Sequence, residues 1–227
     1  MTDEPTCRLY LMSPPLLSEP AFELAKFAAE LEQALAGGDA ACLLLRGVVV
    51  PDDELAEAIA TLAPVCHSHD VALIIEGRAD VAANSDADGV HVDAADYQAA
   101  RALMAADRIV GVSSRRSRHN AMEAAETAAD FVAFSENLED ETAPSDMDGE
   151  IFSLVDMIRW WRDLIEVPCI ALGVDGAGLS LADCSALAAA GADFVAVGEA
   201  VWAHEQGPAA GIVAANAAIS VALEQST

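Results

Sequence analysis

Five of the ten arginines, Arg46, Arg78, Arg115, Arg116 and Arg118, follow closely on short apolar runs. A guanidinium offers paired N–H donors that match phosphate and carboxylate oxygens, so such a set can hold an anion in an otherwise acidic chain. It can equally pair with the many surface acids. Glu76 stands near Arg78, and Asp93 and Asp96 follow the run Gly89–Val92. Magnesium takes one or two carboxylates plus substrate oxygens and water, which makes Asp96, Asp93 and Glu76 the candidate ligands and Mg2+ the candidate cofactor. Asp96 also suits a helix N-cap. Ser113 and Ser114 place two hydroxyls just before Arg115, while Gly173, Gly176, Gly178 and Gly198 cluster after two later runs. Glycine N–H groups can cradle a phosphate, or the glycines only permit tight turns. The candidate catalytic residues are Arg46, Arg78, Ser113 and Ser114. The candidate substrate and phosphate ligands are Arg46, Arg78, Ser114, Arg115, Gly173 and Gly198.

Other chemistry-bearing types point less far. Cys66-His67-Ser68-His69 resembles a metal motif, but it falls at a predicted helix end without further ligands, and histidines suit helix C-termini. His91 lies within an apolar strand and reads as a core histidine. No Ser/His/Asp constellation is recognisable.

These residues need a scaffold that brings strand ends together. Eight short β-rich runs alternate with helical patterns: 8–12, 41–45, 71–75, 89–92, 109–112, 131–134, 169–172 and 194–197. Helices are expected after Pro20, from Pro51, over 79–84, from Asp96, over 117–128, over 153–164, near Ser180 and from Pro208. Strand–helix alternation implies parallel strands with right-handed crossovers. Eight units in this length predict one α/β domain over residues 1–227, a (β/α)8 TIM barrel, whose function lies at the strand C-terminal ends. A doubly wound open sheet is the alternative, weakened by the lack of G-x-G-x-x-G after the first strand. Residues 135–150, rich in acids, Ser, Pro and Gly, read as a lid or a disordered loop.

Composition narrows the partners. The 227 residues are 54% apolar, enough for a large core, and carry a formal charge of −27 with Lys26 the sole lysine. Such a surface repels nucleic acid and anionic membrane, so neither is an expected partner; the arginines and glycines after the strands point instead to a small phosphorylated molecule. No apolar run approaches the roughly 20 residues needed to span a bilayer, and Met1–Pro5 lacks the basic start of a secretory signal. Five scattered cysteines without a C-x-x-C pair fit reduced thiols and a cytoplasmic setting.

The run Leu73-Ile74-Ile75-Glu76-Gly77-Arg78-Ala79-Asp80-Val81-Ala82, with Ala87-Asp88-Gly89-Val90-His91-Val92, resembles the thiamine phosphate synthases, which show I-N-D-R-x-D-L-A followed by A-D-G-V-H-L-G-Q-x-D. The resemblance continues through Leu9-Tyr10-Leu11, Leu45-Arg46, Ile109–Ser114, Ala129–Val132, Val167–Gly173 and Ala190–Val197. It implies a (β/α)8 barrel that joins hydroxymethylpyrimidine diphosphate to a thiazole phosphate, releasing pyrophosphate. Mg2+ and basic residues would hold the diphosphate, and the thiazole nitrogen would attack a pyrimidine cation. Arg46, Arg78, Asp96, Ser113, Ser114 and Gly173 match family positions. Leu44, Val48, Glu76, Gly77, Asp93, Ala94, Val174 and Glu199 depart from them: Gly77 replaces a metal-binding Asp, Val48 a lysine, and Glu199 a serine near the thiazole phosphate. The lysine of a T-x-T-K loop has no counterpart. The resemblance therefore implies a synthase-type transferase whose catalysis is weakened. A thiazole tautomerase-like isomerase and a non-catalytic barrel for a phosphate or cationic ligand are the alternatives. Turnover separates the first reading from the others.

Overall fold

The computed structural model describes residues 7–15, 23–47, 49–135, 152–173 and 178–225. Its strands are β1 (Arg8–Met12), β2 (Cys42–Leu45), β3 (Ala72–Glu76), β4 (Gly89–Asp93), β5 (Ile109–Arg115), β6 (Phe131–Ser135), β7 (Cys169–Leu172) and β8 (Phe194–Val197). The helices are α1 (Leu24–Leu35), α2 (Asp52–Ser68), α3 (Ala79–Ala82), α4 (Tyr97–Leu103), α5 (Arg118–Glu126), α6 (Leu154–Leu164), α7 (Leu181–Ala190), α8 (Glu199–Trp202) and α9 (Pro208–Gln225). Each strand pairs in parallel with the next, and β1 also pairs with β8 from Arg8↔Phe194 to Leu11↔Val197. That last ladder closes the barrel and rules out the open doubly wound sheet.

Helix starts follow local chemistry. Ser117, Ser153 and Ser180 each accept a hydrogen bond from the backbone N–H three residues on, which caps α5, α6 and α7. Asp52, Asp53 and Glu54 fill the first turn of α2, where acids favour the helix dipole. Asp96 occupies the N-cap position of α4 but makes no side-chain cap bond, so the capping role expected of it is not seen.

Strand side chains alternate between two cores. Leu9, Leu11, Leu43, Leu45, Val132 and Phe134 pack beneath the helices, while Tyr10, Met12, Leu44, Ile74, Phe131 and Ile170 fill the barrel. Inside it, Tyr10, His91 and Phe131 meet edge to face, with ring centroids 5.1–6.1 Å apart. A Cβ at Gly111 would fall 1.9 Å from Phe131, so the missing side chain there makes room for the ring.

One device recurs at the N-terminal ends of the strands. Asp88, Asp130 and Asp193, each immediately before an even-numbered strand, accept backbone N–H bonds from Leu73, Val110 and Cys169 of the preceding odd strand, at 2.7–2.8 Å. Asp39, ahead of β2, instead grips the Arg8 guanidinium of β1 with both oxygens at 2.8 Å. His67 joins Asp88 at 2.9 Å and His69 joins Glu32 at 3.0 Å. The Cys66–His69 run thus serves carboxylate pairs at the end of α2 on the barrel's lower face. A cleft of about 500 Å³ also opens there, lined by His67, Asp86, Asp88, Asp107 and Arg108. Asp88 there accepts the Leu73 N–H and pairs with His67, and the cleft lies at the N-terminal ends of the strands, the face that serves stability in such barrels. Among the described residues, no helix is long and apolar enough to cross a membrane.

Candidate active site

At the opposite rim, inward-facing positions continue the barrel alternation past the hydrophobic layers. Glu76 lies opposite His91 in the β3–β4 register, and Asp93 lies opposite Ser113 in the β4–β5 register. Arg46 follows Leu44 and Leu45 at the end of β2, and its backbone N–H donates to Ser13 Oγ at 3.0 Å. Glu76, Asp93, Arg46 and Ser113 therefore share one mouth. Burial pushes the half-buried Glu76 carboxyl above the usual range; the Arg46 charge pulls it down and Asp93 pushes it further up. This mutual influence puts the arginine and both carboxylates within electrostatic reach of one another. Ser135, half-buried at the end of β6, continues the same inward alternation; ending that strand at Phe134 had hidden it.

The floor is apolar and neutral. His91 is 6% exposed, and its Nδ1 lies 2.9 Å from the Tyr10 hydroxyl. Burial lowers its pKa to about 4, so the imidazole is uncharged at neutral pH. The same burial holds the Tyr10 phenol well above its ordinary value. Strand position marked His91 as a core residue, but nothing in the sequence pointed to its bond with Tyr10 across the barrel.

The other predicted residues are placed differently. Ser114 is buried on the helix side of β5, and its hydroxyl donates to the Ala133 carbonyl at 3.1 Å. Arg78 turns toward the starts of α2 and α3, where Asp52, Asp80 and the Val50 carbonyl accept its N–H groups. Arg115 reaches Asp93 at 3.6 Å. Arg116 donates to the Phe152 carbonyl at 2.7 Å, and the Arg118 guanidinium lies 3.7 Å from the Phe152 ring centroid and 4.6 Å from that of Trp160. The five rim arginines thus divide: Arg46 and Arg115 serve the mouth, Arg78 ties helices, and Arg116 and Arg118 fasten α5 to the start of α6.

Asp96 is exposed in a 3-10 turn (Ala94–Asp96) after β4. Among the described residues, no three His, Cys, Asp or Glu side chains are grouped to hold a metal ion. The expected trio of Asp93, Asp96 and Glu76 is therefore not a preformed cage. Gly77, where the family pattern has a metal-binding Asp, has a φ of 69° and donates its N–H to the His91 carbonyl at 2.9 Å. That left-handed backbone favours glycine.

After β7 and β8 the glycines explain one another. A Cβ on Gly173 would lie 2.5 Å from the Gly178 carbonyl oxygen, and one on Gly178 would lie 2.4 Å from the Gly198 nitrogen. Gly178, at φ 84°, bridges to Val197, and the Leu179 N–H donates to Ala196 at 2.8 Å. The return from β7 is thus pressed onto the end of β8, which a side chain at Gly173 or Gly178 would prevent. A cleft of about 400 Å³ between α6 and α7 opens onto Gly173 and Gly178. The short helix α8, unforeseen from the sequence, starts at the exposed Glu199, and its Trp202 donates to the Met12 carbonyl at 2.6 Å. Val48, residues 136–150 of the expected lid, and Val174, Asp175, Gly176 and Ala177 of the glycine loop lie outside the described residues.

A family model described as thiamine monophosphate synthase matches residues 11–201. The chain is 42% identical over 214 residues to the thiamine-phosphate synthase of Rhodospirillum centenum, covering 93% of this chain and 96% of that one. The chain belongs to the thiamine monophosphate synthase family. The corresponding enzyme of Hyphomonas neptunium is 34% identical, with 96% and 97% covered. Among solved structures, a thiamine phosphate pyrophosphorylase from Pyrococcus furiosus superposes with a TM-score of 0.74 at 23% identity, covering 95% and 96% of the two chains. Orotidine 5'-phosphate decarboxylase from Pyrococcus horikoshii gives 0.65 at 13% identity, covering 93% and 99%. Both likenesses speak for the barrel alone. Membership in this synthase family favours a transferase over the isomerase and binding-only alternatives.

Proposed function

We propose that this barrel is a thiamine phosphate synthase. It transfers the pyrimidinylmethyl group from hydroxymethylpyrimidine diphosphate to the ring nitrogen of a thiazole phosphate: the C–O bond from its methylene carbon to the diphosphate breaks, the C–N bond forms at that carbon, and pyrophosphate leaves. The observation that carries this reading is the 42% identity to a synthase along nearly the whole of both chains. In this reading Arg46 and Arg115 hold the diphosphate oxygens, Ser113 adds a hydroxyl, and the backbone at Gly173 and Gly198 receives the thiazole phosphate. Ser114 and Arg78 act as positioning residues. Ser114 fixes the irregular end of β5 through Ala133, and Arg78 fixes the starts of α2 and α3.

Carboxylate oxygens suit magnesium, which needs only one or two of them beside phosphate oxygens and water. Asp93 and Asp96 would hold the ion, with Glu76 nearby. When bound, Mg2+ neutralises charge developing on the leaving pyrophosphate. The chain's own groups supply the rest. Once the diphosphate is bound, Arg46 and Arg115 would stabilise the departing anion, and the buried floor would keep water from beneath the reacting carbon.

Gly77 contributes no carboxylate, and Glu199 adds one where a phosphate is expected. The loss of one preorganised charge contact commonly lowers rate about 10²–10³-fold. Purified protein supplied with both substrates and Mg2+ is expected to make thiamine phosphate and pyrophosphate with a turnover number below about 1 per second, against an ordinary enzyme near 10. Stabilisation by either phosphate without product after hours would refute the synthase reading; a rate near 10 per second would refute the weakening.

A further inference from the structure

Arg115 is one of three described non-glycine residues with positive φ, at 54°. It stands where the β5–β6 register slips, after Ser113↔Ala133 and at Arg115↔Phe134. Bulges of this kind re-aim a side chain beside active sites. Left-handed backbone is costly for any residue with a Cβ and persists only where its surroundings hold it. The placement brings Arg115 Nη2 within 3.6 Å of Asp93 Oδ2, with both side chains more than half exposed at 54% and 55%. An ion pair that open contributes little stability, so stability alone gives poor reason to hold an arginine in this conformation.

The pair has another use. The mouth holds two carboxylates, Glu76 and Asp93, and two guanidiniums, Arg46 and Arg115. A cation arriving alone meets an Asp93 already neutralised by Arg115. An anion arriving alone meets an Arg115 already neutralised by Asp93. We propose that Arg115 and Asp93 are exchange partners, parting only when a metal diphosphate arrives, so that Asp93 passes to the cation and Arg115 to the phosphate oxygens. The mouth then recognises the metal–diphosphate complex as one unit and discriminates against either ion alone. The proposal rests on the synthase reading for the identity of the anion. Its geometry rests on the bulge and the ion pair.

The test is calorimetric titration of wild type, Arg115→Ala, Asp93→Asn and the double variant with Mg2+ alone and with magnesium pyrophosphate, with circular dichroism used to select folded protein. In Arg115→Ala, Mg2+ alone should bind about two- to fivefold more tightly, the scale of an exposed ion pair. Magnesium pyrophosphate should bind at least about tenfold more weakly, the scale of a lost charged hydrogen bond. With Asn at position 93, the same arginine substitution should no longer change Mg2+ affinity. A merely structural role would weaken both ligands, and a plain phosphate contact would leave Mg2+ binding unchanged; either result overturns the exchange. Wild type that binds magnesium pyrophosphate without these opposite shifts refutes the exchange alone. Wild type that neither binds it nor makes thiamine phosphate refutes the synthase reading as well.

Discussion

Glu76 shows how a single side chain can trade stability for a site. Burial, opposed by Arg46 and reinforced by Asp93, keeps its carboxyl above the usual range. Between its ordinary and its folded value, the native chain binds more protons than the unfolded one. Stability therefore falls as pH rises through that window, and the penalty is complete above it. Glu76→Gln keeps the shape and removes the charge. The variant should be more stable than wild type in urea at pH 7, with the advantage disappearing near pH 4. A less stable variant at pH 7 would mean that Arg46 needs the carboxylate more than burial penalises it. Gly77, next in the chain, makes the converse point. Its φ of 69° accommodates glycine freely, whereas a carboxylate side chain restored there would carry a left-handed backbone cost on the order of 1–2 kcal/mol.

At the scale of elements, the barrel separates holding from acting. Asp88, Asp130 and Asp193 repeat one hydrogen bond at the lower ends of alternate strand pairs, away from the mouth that gathers the charged groups. Truncating one of them leaves a strand N–H without its acceptor, a loss of about 1–3 kcal/mol. Asp193→Ala should lose that much in denaturant unfolding, whereas Asp193→Asn, which keeps an acceptor oxygen for the Cys169 N–H, should lose much less. Equal losses would locate the effect in charge instead of the hydrogen bond. The upper end is built differently, with Gly173 and Gly178 letting the return from β7 lie backbone to backbone against the end of β8.

Across the whole molecule, a charge of −27 sets a background of self-repulsion. Many of the ion pairs are open to solvent, such as Arg8–Asp39 and Arg159–Asp156, and open pairs offset little of it. Salt shortens the reach of the repulsion. Raising NaCl from 20 mM to 0.5 M should increase the melting temperature by roughly 2–8 °C, corresponding to ~1–2 kcal/mol for a domain of this size. A fall would show that the ion pairs outweigh the net charge. Within that field Arg46 and Arg115 place positive charge at the mouth, and in the proposed function they hold the phosphate oxygens.

By itself the sequence determined the alternation of strand and helix, most strand positions, the serine starts of α5, α6 and α7, and the family. These are local or periodic signals: a capping serine acts within three residues, and a strand's apolar run is continuous in the chain. It also named Arg46, Glu76, Asp93 and Ser113, because in a barrel the strand ends are where function gathers. Only the tertiary structure decided which rim residues meet. Arg78 and Arg115 both follow strands, yet one ties helix starts and the other faces Asp93 because a bulge turned it. The A-D pairs before β4, β6 and β8 read as family resemblance until the preceding strands were in place to donate to them. Closure was expected from the count of eight strand–helix units, but β1 and β8 lie at opposite ends of the chain and their pairing leaves no local periodicity to read, so only the ladder between them excluded the open sheet. Side-chain direction at a loop, a bulge or a closed seam depends on partners distant in sequence, and that dependence is what local patterns do not encode.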